Sequence, residues 1–267
     1  MNSKPIGVFD SGIGGLTVLK EIVRLMPAEN TVYLGDTARV PYGTKSKETV
    51  SRYALEDARF LLTREVKLVV TACNTASAYA IPELKREIPV PVIGVIEPGA
   101  RAAIEATRNN KIGIIGTEGT VKSRAYSKTI QAMRPAVETF EKACPLFVPL
   151  VEEGFSHDEV TDLVASRYLK ELKAAGIDTL VLGCTHYPLL KETISGFMGE
   201  GITLIDSAES TAAEIRGLLA EMGLSNDTDR TSHSFYVTDS PERFSRVGRL
   251  FFGERLNGPE LVHVEAN

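Results

Sequence analysis

Short apolar runs rich in β-branched residues recur along the chain, at Ile6–Phe9, Thr31–Leu34, Leu68–Thr71, Val90–Ile96, Lys111–Ile115, Leu146–Val148, Thr179–Leu182 and Thr203–Ile205. Each predicts a buried strand. Between them, apolar residues repeat at helical spacing. Leu16, Leu19, Ile22, Val23 and Met26 mark one such face, and Val50, Tyr53, Ala54, Ala58 and Leu61 mark another. Val160, Leu163, Val164 and Tyr168 mark a third, opened by Ser156 and Glu159 at capping-box spacing and closed by Gly176. Strand and helix alternating at this interval predict parallel sheets with helices on both faces.

Aligning strand ends exposes an internal duplication. Ile6-Gly7-Val8-Phe9-Asp10-Ser11 resembles Ile112-Gly113-Ile114-Ile115-Gly116-Thr117, and Val69-Val70-Thr71-Ala72-Cys73-Asn74-Thr75 resembles Val181-Leu182-Gly183-Cys184-Thr185-His186. A third pair is Ile93-Gly94-Val95-Ile96-Glu97 with Thr203-Leu204-Ile205-Asp206. The fold class expected is α/β: two similar doubly wound domains related by pseudo-two-fold symmetry, with a site in the cleft between them. Beyond Asp206 the pattern predicts a helix over 208–222, strands at Ser234–Thr238 and Leu261–Val264, and a helix at Arg243–Phe252. The second half is complete without these, so they are assigned to the first: residues 1–97 with 208–267 form one domain and 98–207 the other. Pattern alone equally allows them as a third layer on the second half.

Composition narrows the function classes. With 267 residues, 43% hydrophobic and 24% charged, the chain is globular rather than disordered or fibrous, and long enough for two domains. Against 35 Asp+Glu stand 30 Lys+Arg, a net charge of −5 without a basic block. Neither nucleic acid nor a membrane surface is therefore an expected partner. The apolar stretch Ile6–Phe9 stops at Asp10, too short for a signal peptide, and no run approaches the about 18 residues of a membrane span. A soluble, cytoplasmic protein is expected. Three Cys without a CxxC pair argue against a disulfide framework and leave thiol chemistry open.

In open α/β sheets, ligands bind beyond the carboxyl ends of the strands. Cys73 and Cys184 each end a predicted strand there. Singly, either reads as a small buried hydrophobe; their equivalent placement in two duplicated halves is not explained that way. Two acid/base groups on opposite sides of one carbon are what inversion of configuration requires, one removing a proton as thiolate and the other returning one as thiol. Asp10 and His186 stand where they would assist, although alone they read as a turn residue and a structural histidine. Glu152 could also enter the cleft, with an exposed loop carboxylate as its ordinary reading. The Gly-rich turn Asp10-Ser11-Gly12-Ile13-Gly14-Gly15 could hold a carboxylate or phosphate. As a dinucleotide fingerprint it lacks the third Gly, although Asp36 ends the next strand as a ribose ligand would. Pro41-Tyr42-Gly43 reads as a turn whose backbone could grip an anion. No metal is expected: Cys184 and His186 supply two ligands, and neither His157, His233 nor His263 completes a spacing. Cys144 has no counterpart in the other half and reads as structural.

Together, Asp10 to Gly15, Asp36 with Pro41-Tyr42-Gly43, Cys73-Asn74-Thr75 and Gly183-Cys184-Thr185-His186-Tyr187-Pro188 resemble the glutamate racemases. The resemblance implies a cofactor-independent isomerase interconverting L- and D-glutamate, a precursor of bacterial peptidoglycan. It implies that Cys73 and Cys184 are the two acid/base residues, assisted by Asp10, His186 and less surely Glu152. It further implies that Asp10, Ser11, Tyr42, Gly43, Asn74, Thr75, Thr185 and His186 bind the substrate. The shorter form, without activation by a cell-wall precursor, is expected because the first strand begins so early, and a homodimer is expected because such members commonly form one. The rivals are a racemase of another acidic amino acid such as aspartate, a non-catalytic two-domain module binding small anions, and a nicotinamide oxidoreductase using the Gly-rich turn.

Overall fold

The computed structural model describes residues 3–227, 231–254, 256 and 258–264. The first half runs β1 (Ile6–Asp10), α1 (Leu16–Leu25), β2 (Thr31–Gly35), α2 (Lys47–Leu62), β3 (Leu68–Thr71), α3 (Asn74–Glu87) and β4 (Val92–Gly94). Next come α4 (Ile96–Ala106), β5 (Lys111–Gly116), α5 (Glu118–Ser123), α6 (Ala125–Met133) and β6 (Glu138–Ala143). They are followed by α7 (Phe147–Glu152), α8 (Glu159–Ala174), β7 (Thr179–Gly183), α9 (Lys191–Met198) and β8 (Thr203–Asp206). The chain then adds α10 (Ser207–Glu221), β9 (His233–Val237), α11 (Pro241–Phe252) and β10 (Glu260–Leu261).

Two fully parallel sheets result, ordered β10-β9-β2-β1-β3-β4 and β6-β5-β7-β8. The order β2-β1-β3-β4 repeats as β6-β5-β7-β8, which is the duplication seen in the sequence. The last two strands extend the first sheet beyond β2. Strand side chains alternate between faces, so both sheets are covered on both sides. In the first, Ile6, Val8, Leu68 and Val70 pack against α1, α10 and α11, whereas Phe9, Leu34 and Val69 pack against α2 and α3. In the second, Ile112, Ile114 and Val181 meet α4 and α6, whereas Ile115, Leu180 and Leu182 meet α7, α8 and α9. Among the described residues, no helix is long and apolar enough to cross a membrane.

Five expectations need correction. Leu146–Val148 is not a strand: Phe147 and Val148 open α7, and the strand is β6, Glu138–Ala143. An edge strand with no buried residue carries little apolar signal, and the sequence ETFEKA has almost none. Val90–Ile96 shrinks to β4, because Ile96 already begins α4. The apolar face expected on α8 holds only in part: Val164 and Tyr168 pack against the core, but Val160 and Leu163 are exposed, and the helix buries Thr161, Ala165, Leu169 and Leu172. Its cap is Asp158, whose carboxylate accepts from the Val160 N–H at 2.8 Å, rather than Ser156. Gly176 does follow its end, at φ +71°. Finally, the strand expected at Leu261–Val264 is only Glu260–Leu261.

Candidate active site

The carboxyl ends of β1, β3, β5 and β7, two from each sheet, converge on one cavity of about 360 Å³. Both Cys73 and Cys184 line it, with Ser11, Tyr42, Gly43, Asn74, Thr75, Glu152, Thr185 and His186. A wider groove of about 1090 Å³ between α3, α4, α6 and α10 contains neither thiol, so chemistry rather than size selects the smaller space. Asp10 lies behind the wall and is fully buried. Asp36 is elsewhere, in a buried polar cluster beneath the Tyr42 turn. Cys144 is buried in the core, its own backbone carbonyl accepting from the Tyr187 hydroxyl at 2.8 Å.

Each thiol is placed by its strand. Cys73 caps α3, its Sγ accepting from the Ala76 N–H at 3.5 Å. Burial, reinforced by the nearby Asp10 carboxylate, pushes its thiol up to about 12, against the opposing pull of Ala76 and Ser11. Cys184 directly follows β7. His186 comes two residues later. Burial pulls its ring toward the neutral form, but contact with the Cys184 sulfur and the Glu152 carboxylate outweighs this and raises it to about 10. Its Nε2 lies 2.9 Å from Glu152 Oε1, and its ring stands edge-on to Phe251 with centroids 5.1 Å apart. Burial pushes Glu152 upward, but bonds from His186 and from Arg243 Nη2 (2.9 Å) leave it below the usual carboxylate range.

Asp10 is the counterpart on the Cys73 side. Its Oδ2 accepts from the Gly12 N–H at 2.9 Å, while Oδ1 is buried without a partner among the described residues. Burial raises its carboxyl above the usual range despite the pull of His186 and of the Gly12 and Gly15 amides. A second unpaired group is Asn74 Nδ2: the Tyr126 hydroxyl donates to Asn74 Oδ1 at 2.8 Å, which leaves the amide donor free beside the cavity. Buried polar groups are rarely left unsatisfied without a reason, and a polar ligand is one.

The two sheets' elements are tied across the cavity. Thr17 Oγ1 donates to the Thr185 carbonyl at 3.1 Å, and Thr75 Oγ1 lies 2.8 Å from Thr117 Oγ1. Gly12, Ile13 and Pro41, from the two turns singled out in the sequence, line the cavity too; sequence reasoning missed Thr117, with Val40, Val148 and Pro149 on the apolar part of the wall. The duplication carried the signal for Thr117, since it stands where Ser11 stands in the first half.

A doubled α/β scaffold holding two thiols in one cleft defines a class of enzymes that work on both faces of a single carbon. Residues 6–215 match the family described as Asp/Glu/Hydantoin racemase, and the chain belongs to it. Among its relatives, a glutamate racemase of Geobacter metallireducens is 54% identical over 264 residues, covering 98% of each chain. A solved glutamate racemase isoform from Bacillus anthracis superposes with a TM-score of 0.94 at 39% identity, covering 99% of this chain and 98% of that one. The glutamate racemase of Francisella tularensis, solved in complex with D-glutamate, superposes at 0.93, also at 39% identity, covering 99% of both chains.

Proposed function

We propose that this protein is a PLP-independent isomerase that interconverts L- and D-glutamate in the cytoplasm and provides D-glutamate for peptidoglycan synthesis, with Cys73 and Cys184 facing the substrate's Cα from opposite sides. The observation that carries this reading is the meeting of two thiols, from the ends of β3 and β7, in one cavity. One sulfur, as thiolate, takes the proton from Cα. The electron pair stays on Cα and spreads into the adjoining carboxylate. The opposite thiol then gives its proton to the other face, leaving the two sulfurs with exchanged protonation states. Asp10 helps by accepting a proton on the Cys73 side, and His186, held charged by Glu152, by supplying one on the Cys184 side.

The intermediate carries negative charge on both carbon and carboxylate, so fixed donors in a water-poor site must stabilise it. Ser11, Tyr42-Gly43, Asn74-Thr75 and Thr185 are the groups proposed to hold the substrate, with the free Asn74 Nδ2 as one donor awaiting it. The units proposed to close on glutamate are residues 1–97 with 208–267, and 98–207. A homodimer is part of the proposal, and exposed Leu146, Phe155, Val160 and Leu163 supply apolar surface for it. A chirality assay comparing glutamate with aspartate tests the substrate. Turnover of aspartate equal to or faster than glutamate overturns the assignment.

The His186–Glu152 pair makes a pH prediction. Glu152→Gln removes one of the groups that raise His186, and an opposite charge at this range shifts a pKa by about 1–3 units. The alkaline limb of the kcat profile should therefore move to lower pH by about one unit, and a titration of the His186 ring by NMR should follow it. Linkage gives the sign for stability. Because the folded ring holds its proton to about 10 rather than 6.5, its contribution is full below about 6.5 and is lost as pH rises through about 10. Thermal unfolding of the wild type should show that decline, and Glu152→Gln should compress it.

A further inference from the structure

Beneath the Tyr42 turn lies a buried polar cluster that the proposed chemistry does not use. Arg39 sits at its centre: Nε donates to Asp36 Oδ2 at 2.6 Å, Nη2 to Asp57 Oδ1 at 2.9 Å, and Nη1 to Glu56. The Tyr42 hydroxyl touches two carboxylates, Asp36 Oδ2 and, at 3.0 Å, Asp57 Oδ2. Asp36 and Asp57 are both fully buried. Three carboxylates thus share one guanidinium, and two of them, Asp36 and Asp57, are closed to solvent.

Counting protons decides how this can be stable. A phenol has one proton to donate, and Asp36 is the nearer acceptor. If Asp57 were ionised, its Oδ2 and the Tyr42 oxygen would face each other with lone pairs only. Asp36 is the better supplied with donors: Arg39, Tyr42 and the Thr238 hydroxyl (3.0 Å) all donate to it. Glu56 is partly open to solvent and also near Arg52. With the phenol proton given to Asp36, Asp57 keeps one donor, Arg39, and no exposure to solvent. Two buried carboxylates sharing a site do not both ionise readily, and the one with fewer donors takes the proton.

We propose that Asp57 is protonated at neutral pH and donates a hydrogen bond to Tyr42, which makes it the positioning residue for the Tyr42-Gly43 wall of the cavity. The resulting chain, Asp57 to Tyr42 to Asp36, gives every oxygen a partner and fixes the phenol in one orientation. On α2, Glu56 is the other charged neighbour of Asp57; on the 36–45 segment they are Asp36 and Arg39, with Tyr42. Tyr53 and Arg52 of α2 stack near Arg39, and His263 lines the adjoining surface pocket. Burial first, then the Asp36 charge, hold the Asp57 carboxyl well above the usual carboxylate range, against the pull of Arg39 and Tyr42. Burial likewise keeps the Tyr42 phenol protonated. The functional half of this inference rests on Tyr42-Gly43 holding the substrate; the proton itself does not.

Infrared difference spectroscopy of the intact protein at neutral pH separates the two. Wild type minus Asp57→Asn should lose a protonated-carboxyl C=O band that shifts in deuterium oxide, with no loss of a carboxylate band. The amide keeps both bonds, accepting from Arg39 and donating to Tyr42, so Asp57→Asn should fold and hold KM for glutamate within about twofold of wild type. Asp57→Ala should raise KM about tenfold with a smaller change in kcat, roughly what one broken buried hydrogen bond yields. A lost carboxylate band, or an Asp57→Asn protein that does not fold or shows the KM of Asp57→Ala, overturns the protonated donor. An unchanged KM in Asp57→Ala overturns the positioning role. Absence of glutamate racemisation in the wild type would instead strike the proposed function, and the infrared result would stand apart from it.

Discussion

Racemisation should fall by at least about 10³-fold in both Cys73→Ser and Cys184→Ser, because each variant lacks the acid or base for one face of Cα and a hydroxyl, a far weaker acid than a thiol, neither ionises near neutral pH nor gives up its proton as readily. Both proteins should fold. Both cysteines are buried and pack with the core while lining the cavity, but Cys→Ser changes side-chain volume little, and Ser preserves the N-cap that Cys73 supplies to α3. Both should still bind glutamate. The discriminating result is in the residual chemistry: the remaining thiol can exchange the α-proton of the one enantiomer that presents it. The two variants should therefore exchange opposite enantiomers. Exchange of the same enantiomer by both would mean that the sulfurs do not divide the faces between them.

Gly14→Ala should be nearly as damaging, for a steric reason. A Cβ at Gly14 would lie 2.2 Å from Thr185 Oγ1 and 2.5 Å from His186 Nδ1. Neither can move aside freely. The Thr185 carbonyl is held by Thr17, and His186 is fixed between Glu152 and Phe251. Overpacking of this kind costs about 1–3 kcal/mol, and displacing His186 and Thr185 by about 1 Å should lower kcat about 100-fold. Gly196→Ala in α9 is the control, since a Cβ there meets nothing within 4 Å and should be neutral or slightly stabilising. Urea unfolding and steady-state kinetics of the pair read both effects; a Gly14→Ala enzyme with wild-type kcat would mean that the close approach of the Gly-rich turn does not position the His186 side of the site.

Much of the site was legible because its signals are local and repeated. Cys73 and Cys184 were singled out by matching strand ends, and the strands they end are central ones, buried on both faces and therefore continuously apolar. Where apolar signal thins, the reading failed. The β6 strand lies at a sheet edge with a polar sequence, so it was displaced onto the more apolar Leu146–Val148, which is helical. In α8 the pattern Val160, Leu163, Val164 is strong yet half of it faces solvent, while the buried face uses Thr161 and Ala165, residues that periodicity does not weigh heavily. Contacts distant in sequence were invisible by nature. Nothing local announces that Arg243, 91 residues from Glu152, completes its ion pairing, or that Asp36 turns away from the cavity to meet Arg39 and Asp57. Thr117 was within reach: extending the alignment of Asp10-Ser11 with Gly116-Thr117 one step, from fold to chemistry, places it on the cavity wall.

The central claim, separate sulfurs on the two faces of one carbon, is tested most directly by running the wild-type reaction in deuterium oxide from each pure enantiomer and measuring label at Cα early in the reaction. Two opposed thiols predict that the product carries solvent deuterium in both directions while the recovered starting enantiomer stays largely unlabelled. Label entering the starting enantiomer as fast as the product, in either direction, would mean that one base serves both faces and would contradict the account.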